Sequence, residues 1–184
     1  MIGGGIHFNI IKLPITRSIE VRFLDNLDND QIFVGAMHNI FIGKVLKKVG
    51  QTNTNAAPIT TQFEVEILDN IKGELSGKMV ISQEGGYDNG IFTTIEGQAL
   101  LTAGSTYILS ARTDGTSHYL ISSFPRGKIL LSQNPFITGD ELQTVIASNK
   151  DVQSLKDAYI HEQPLKIDVE NGYDYNKYEP VPVQ

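Results

Sequence analysis

Between Asn39 and Ser132 the chain is a succession of short apolar runs of period two, separated by glycine-bearing turns. No fold built mainly from helices satisfies such a pattern, because alternation places one set of side chains on one face of a strand and the rest on the other. Ile40, Ile42 and Val45 open the series. Phe63, Val65 and Ile67 alternate with Glu64 and Glu66 in the Thr61 to Ile71 run. Lys78 to Gln83 sets Val80 against Met79 and Ile81, and Ala99 to Gly104 leads into Tyr107-Ile108-Leu109-Ser110. His118 to Ser123 and Gly127 to Leu131 complete the set. Five or more short strands with such turns predict an all-β sandwich or barrel.

The flanks read differently. Ile6, Phe8, Ile10 and then Ile19, Val21, Phe23 predict two N-terminal extended strands separated by Pro14, which cannot donate to a ladder. Ile32, Phe33, Ala36 and Met37 have helical spacing, enough for one or two turns before the first long strand. Thr138-Gly139-Asp140-Glu141 fits a capping box, and Leu142, Val145, Ile146, Val152, Leu155 and Tyr159 follow at helical spacing. Ser148-Asn149 favours a break into two helices, and Pro164 closes the helical region. Residues 1–38 therefore read as an extension packing on the barrel, 39–133 as the barrel, 134–164 as a helical appendage and 165–184 as a mobile acidic tail. Gly50 to Pro58 reads as a polar loop, and Gly85-Gly86-Tyr87-Asp88-Asn89-Gly90 as a flexible loop tip.

Charge narrows the partners. The net charge is -6, but residues 39–133 carry 8 basic and 8 acidic side chains, whereas 134–184 carry 4 and 9. A neutral centre with an acidic end matches phosphate backbones poorly, so nucleic acid is disfavoured. No apolar run reaches the ~20 residues of a membrane-spanning helix. The first residues lack the basic start and apolar stretch of a secretory leader. The compartment is the cell surface or outside if a leader has been removed, and the cytoplasm otherwise. Nothing in the sequence sets an oligomeric state.

Cysteine is absent, which excludes disulfides, thiolate metal sites and cysteine nucleophiles. The four histidines, His7, His38, His118 and His161, lack metal-ligand spacing. Asp25, Asp28 and Asp30 have neither the central glycine nor the terminal glutamate of a calcium loop and read as a solvated turn. There is no G-x-S-x-G elbow and no phosphate-binding glycine motif. No catalytic residue, metal site or cofactor is therefore assigned. Gly86, Tyr87 and Asp88 form a candidate binding loop, since glycines expose backbone amides and tyrosine offers an adaptable contact. Arg126 and Lys128 put two positive charges beside Phe124, a candidate contact for an anionic ligand through Arg126, set against a plain strand connection. Tyr173, Tyr175 and Tyr178 could add as a strand to a neighbouring sheet edge.

One order of segments carries a resemblance. Ile40-Phe41-Ile42-Gly43-Lys44-Val45 is followed by Phe63 to Leu68 with Ile71-Lys72-Gly73. Val80 to Gly86 and then Leu101 to Leu109, with its Gly104-x-x-Tyr107 spacing, complete it. This resembles bacterial relatives of the TIMP and netrin (NTR) module over about 95 of 184 residues. The resemblance implies a five-stranded OB-type barrel and a non-catalytic module that binds another protein or a surface component. Animal TIMPs chelate protease zinc through an N-terminal cysteine, and this chain starts with Met1 and has no cysteine, so that chemistry is not carried over. The alternatives are an enzyme or enzyme-accessory domain whose site is assembled from distant residues, and a single-stranded nucleic-acid binder.

Overall fold

In the computed structural model, residues 15–19, 27–54, 57–113, 115, 117–137 and 139–164 are described. The first elements are β1 (Ile15–Ile19), α1 (Asp30–Ala36), β2 (Asn39–Thr54), β3 (Ala57–Lys72) and β4 (Lys78–Glu84). Then come β5 (Gly86–Asp88), β6 (Ile91–Ile95), β7 (Thr106–Thr113) and β8 (Tyr119–Ile121). A 3-10 turn at Pro125–Gly127 leads to β9 (Lys128–Ser132), α2 (Gly139–Ser148) and α3 (Lys150–Ile160). The chain is mostly β, as its alternating runs predict.

Five strands close on themselves. β2 pairs antiparallel with β3 on one side and β7 on the other. β3 pairs with β4, β4 lies parallel to β8, and β8 returns antiparallel to β7. The ring β2-β3-β4-β8-β7, with β4 and β8 its one parallel pair, is the OB-type barrel. β9 continues along the edge of β7 that β8 leaves open: Ala111–Thr113 pair with β8 and Thr106–Leu109 with β9.

Alternation divides the apolar residues into two cores. Phe41, Val45, Phe63, Val65, Ile81, Tyr107, Leu109 and Ile121 fill the barrel. Their neighbours Ile40, Ile42, Ile71 and Ile108 point the other way, onto a cluster with Phe33 and Val34 of α1 and Leu142, Ile146, Val152 and Leu155 of α2 and α3. Each such side chain contributes roughly 1.5–3 kcal/mol on burial. The helices therefore share a core with the barrel wall. Lys72 ties the same junction, donating to Val34 O at 2.9 Å and to Glu162 at 2.5 Å.

Gly43 has two duties in β2. It stands at one of five register irregularities between β2 and β3, which curl the long hairpin. It also faces the barrel interior, where a Cβ would lie 2.6 Å from Val65 Cγ1 and 3.2 Å from Phe41 Cε2.

Several expectations are corrected. The Gly50 to Pro58 stretch is not simply a polar loop: β2 and β3 run through most of it, with Gln51 opposite Thr61 and Thr52 opposite Thr60. Its threonines are β-branched and suit a paired strand. Gly85 to Gly90 is not a flexible loop tip. Gly86-Tyr87-Asp88 forms β5, Asn89-Gly90 is the turn, and β6 pairs back antiparallel. β6 also pairs parallel with β1, completing a second, three-stranded sheet. Among the described residues the N-terminal strand is Ile15–Ile19, which reaches the first residue of the expected Ile19 to Phe23 run. The run at Ile6, Phe8 and Ile10, and the stretch from Val21 to Phe23, lie outside the described residues, as do Pro14 and 165–184 with Tyr173, Tyr175 and Tyr178.

Two helices follow β9. Asn149 separates them, and its Oδ1 accepts from Val152 N at 3.1 Å to cap α3. Asn29 caps α1 in the same way, accepting from Gln31 N at 2.9 Å. In the expected capping box Glu141 stands in the first turn of α2, and Thr138 lies outside the described residues. α3 ends at Ile160, before Pro164, with His161 at its C-cap.

Candidate functional site

Opposite each inward residue of the barrel stands an outward one, and register aligns these into rows. Gln62 of β3 pairs with Ser82 of β4, Ser82 with Leu120 of β8, and Leu120 with Arg112 of β7. Thr60, Thr52, Thr113, His118 and Tyr119 border the row. Together they line a groove of about 320 Å³ on the outer barrel face. Its walls are the β2–β3 hairpin and the β7–β8 connection. Five of its nine lining residues are threonine, serine or glutamine, with one aromatic ring, one leucine, one guanidinium and one imidazole, and most of the exposed lining is apolar.

The β7–β8 connection is held at its start by His38. The Thr113 N–H donates to His38 Nδ1 at 2.9 Å, which requires that nitrogen to be unprotonated. Partial burial, then the charges of Arg112 and Lys72, hold the imidazole below its ordinary pKa and so favour the accepting form. His38 is thus a positioning group for one groove wall. His161 contacts Asp157 O at 3.0 Å on α3, and His7 lies outside the described residues. Among the described residues no three His, Asp or Glu side chains gather as metal ligands.

Gly86, Tyr87 and Asp88, singled out in the sequence, sit together on the small sheet. The Gln51 side chain grips Tyr87 like an extra strand residue: Nε2 donates to Tyr87 O at 2.6 Å, and Oε1 accepts from Tyr87 N at 3.0 Å. Thr61 Oγ1 donates to Gly85 O at 2.8 Å. Gly86 threads between these two side chains at φ +153, where a Cβ would meet Gln51 Oε1 at 2.6 Å and Thr61 Oγ1 at 2.9 Å. Its glycine is needed for docking the hairpin. Tyr87 is 50% exposed and packs on Phe92 with ring centroids 4.6 Å apart. Asp88 and Arg17 line a smaller cavity of about 150 Å³ between the small sheet and the β2–β3 hairpin.

Arg126 belongs to another neighbourhood. From the 3-10 turn its guanidinium pairs with the Asp30 carboxylate, donates to Asp28 O and lies 6.0 Å from the Phe33 ring centroid. The Asp28–Asp30 segment is thereby an anchor for that arginine, and Asp25 lies outside the described residues.

The groove is not legible in the sequence because its members come from five strands. The available signal was the polar half of the alternation, Thr60, Gln62 and Ser82 against Thr61, Phe63 and Ile81. Their alignment into one row depends on register. A scan of protein-family models finds none that matches the chain, and a search of curated proteins finds no similar sequence.

Proposed function

We propose that this protein is a non-catalytic binding module that holds its ligand in the groove across β3, β4 and β8. One observation carries the reading: the groove occupies the face and loop pair that OB barrels offer to oligomeric ligands. Of the partner classes, a surface oligosaccharide suits the lining best. Threonine, serine and glutamine both donate and accept, matching sugar hydroxyls, and Tyr119 with Leu120 gives an apolar patch for a ring face. A nucleic-acid strand would want a basic track, and the barrel segment carries no excess of positive charge. Kinship with the TIMP and netrin module is part of the same proposal. Its support is that the segments carrying the resemblance form β2, β3, β4, and the approach to β7 with β7's first half.

The test is a binding screen of the whole chain against glycans and extracellular proteins, followed by titration of Tyr119→Ala and Arg112→Ala. A genuine groove ligand loses at least about tenfold in affinity with Tyr119→Ala, as expected for a buried aromatic contact worth above ~1.4 kcal/mol. Unchanged affinity in both variants refutes the site. Measured turnover of a bound compound refutes the non-catalytic reading.

A further inference from the structure

A second groove, of about 520 Å³, runs beside β9 and the segment between β6 and β7. It shares no lining residue with the first. Its size falls in the range of small-molecule sites. Leu100, Leu130 and Pro125 give it apolar walls, and Lys128 and Tyr107 bring polar atoms to it. Leu130 is 45% exposed and so presents apolar surface to the groove.

We propose that this groove binds a small amphipathic monocarboxylate, with the carboxylate on Lys128 and the apolar part along Leu100 and Leu130.

Three features support the assignment. Lys128 Nζ donates to Ala99 O, which uses one of its three hydrogens. No carboxylate pairs with it among the described residues. Burial alone lowers its pKa to about 8, with no neighbouring charge acting on it. A desolvated ammonium without a counter-charge is costly, and an incoming carboxylate relieves that cost. Tyr107 lies at the same groove. Its hydroxyl accepts from Thr102 N at 3.2 Å and keeps its own hydrogen to donate. Lys128 is the one cationic side chain that lines the groove among the described residues, so one carboxylate is matched and a second is not.

Binding an anion must favour the charged amine. Complex formation therefore takes up protons near and above pH 8, where free Lys128 is partly neutral.

Titration calorimetry of the full chain with octanoate, octan-1-ol and octanedioate tests this, run at pH 8 in two buffers of different ionisation enthalpy. Octanoate is expected to bind more tightly than the other two, with net proton uptake. Lys128→Met should weaken octanoate at least tenfold and leave octan-1-ol unchanged. Lys128→Arg, which keeps the charge, should retain most of the octanoate affinity, and Tyr119→Ala, in the other groove, should retain all of it. The proposal falls if octanoate gives no heat at millimolar concentration, if octan-1-ol binds as well, or if Lys128→Met binds octanoate undiminished. Circular dichroism of Lys128→Met and the Lys128→Arg result separate loss of the site from loss of the fold.

Discussion

Replacing Gly43 by alanine is the sharpest probe of the barrel interior. The added methyl would sit 2.6 Å from Val65 Cγ1, 3.2 Å from Phe41 Cε2 and 3.5 Å from Leu109 Cδ1. Ordinary carbon contacts need roughly 3.5–4 Å, so Val65 must retreat by about 1 Å. Val65, Phe41 and Leu109 are all fully buried, and none has solvent to move into. The cost is set at the upper part of the overpacking range, about 2–3 kcal/mol. In a chain of this size that lowers Tm by roughly 4–12 °C. Val65→Ala removes the clashing methyl and costs about 2 kcal/mol on its own through the cavity it leaves. Each change creates what the other needs. The double variant should therefore be more stable than the sum of the two by at least about 1 kcal/mol. Urea unfolding followed by far-ultraviolet circular dichroism gives all three values, and tryptophan is absent, so fluorescence is less useful. Additive costs in the double variant would show that Gly43 does not face Val65 across the barrel. A Gly43→Ala protein as stable as the parent would refute the interior packing outright.

Gly86→Ala should lose the Gln51 clamp on Tyr87, seen as faster amide hydrogen exchange at Tyr87 and Thr93 while the barrel strands keep their protection. Arg126→Ala should cost roughly 1–2 kcal/mol in urea unfolding, and Arg126→Lys should recover less than half, because the lysine ammonium lacks the fork that holds Asp30 and Asp28 O together. The folded-state pKa of His38 lies below its ordinary value of 6.5, so the folded protein resists a proton that the unfolded chain accepts. Its share of stability is complete above pH 6.5 and declines as pH falls through and below that value. The decline should flatten in His38→Asn when urea midpoints are compared between pH 7.5 and 5. Ser110 Oγ and Thr106 Oγ1 are buried with no hydrogen-bond partner among the described residues, so Ser110→Ala should be neutral or raise stability by up to about 1 kcal/mol in the same assay.

The sequence by itself determined the class of fold. Alternation in Thr61–Ile71 and around Tyr107 decides which side chains face inward, because the period of a strand is two whatever it pairs with. Asn149 likewise marks the break between α2 and α3 through a bond made within four residues. Long-range partners are different. That Gln62, Ser82, Leu120 and Arg112 form one row was decided only by register among four strands, and a slip of one residue would bury them instead. The ordered β5–β6 hairpin depends on Gln51 and Thr61, 36 and 24 residues away from the groups they hold. In the sequence Arg126 stands beside Phe124 as a candidate anion contact, yet Asp30, far back in the chain, already holds it. Lys128 is visible in the same run as a positive charge, but only folding removes water from its amine, with no carboxylate paired to it among the described residues. Local periodicity is a property of neighbours along the chain, whereas the grooves exist only where distant segments meet.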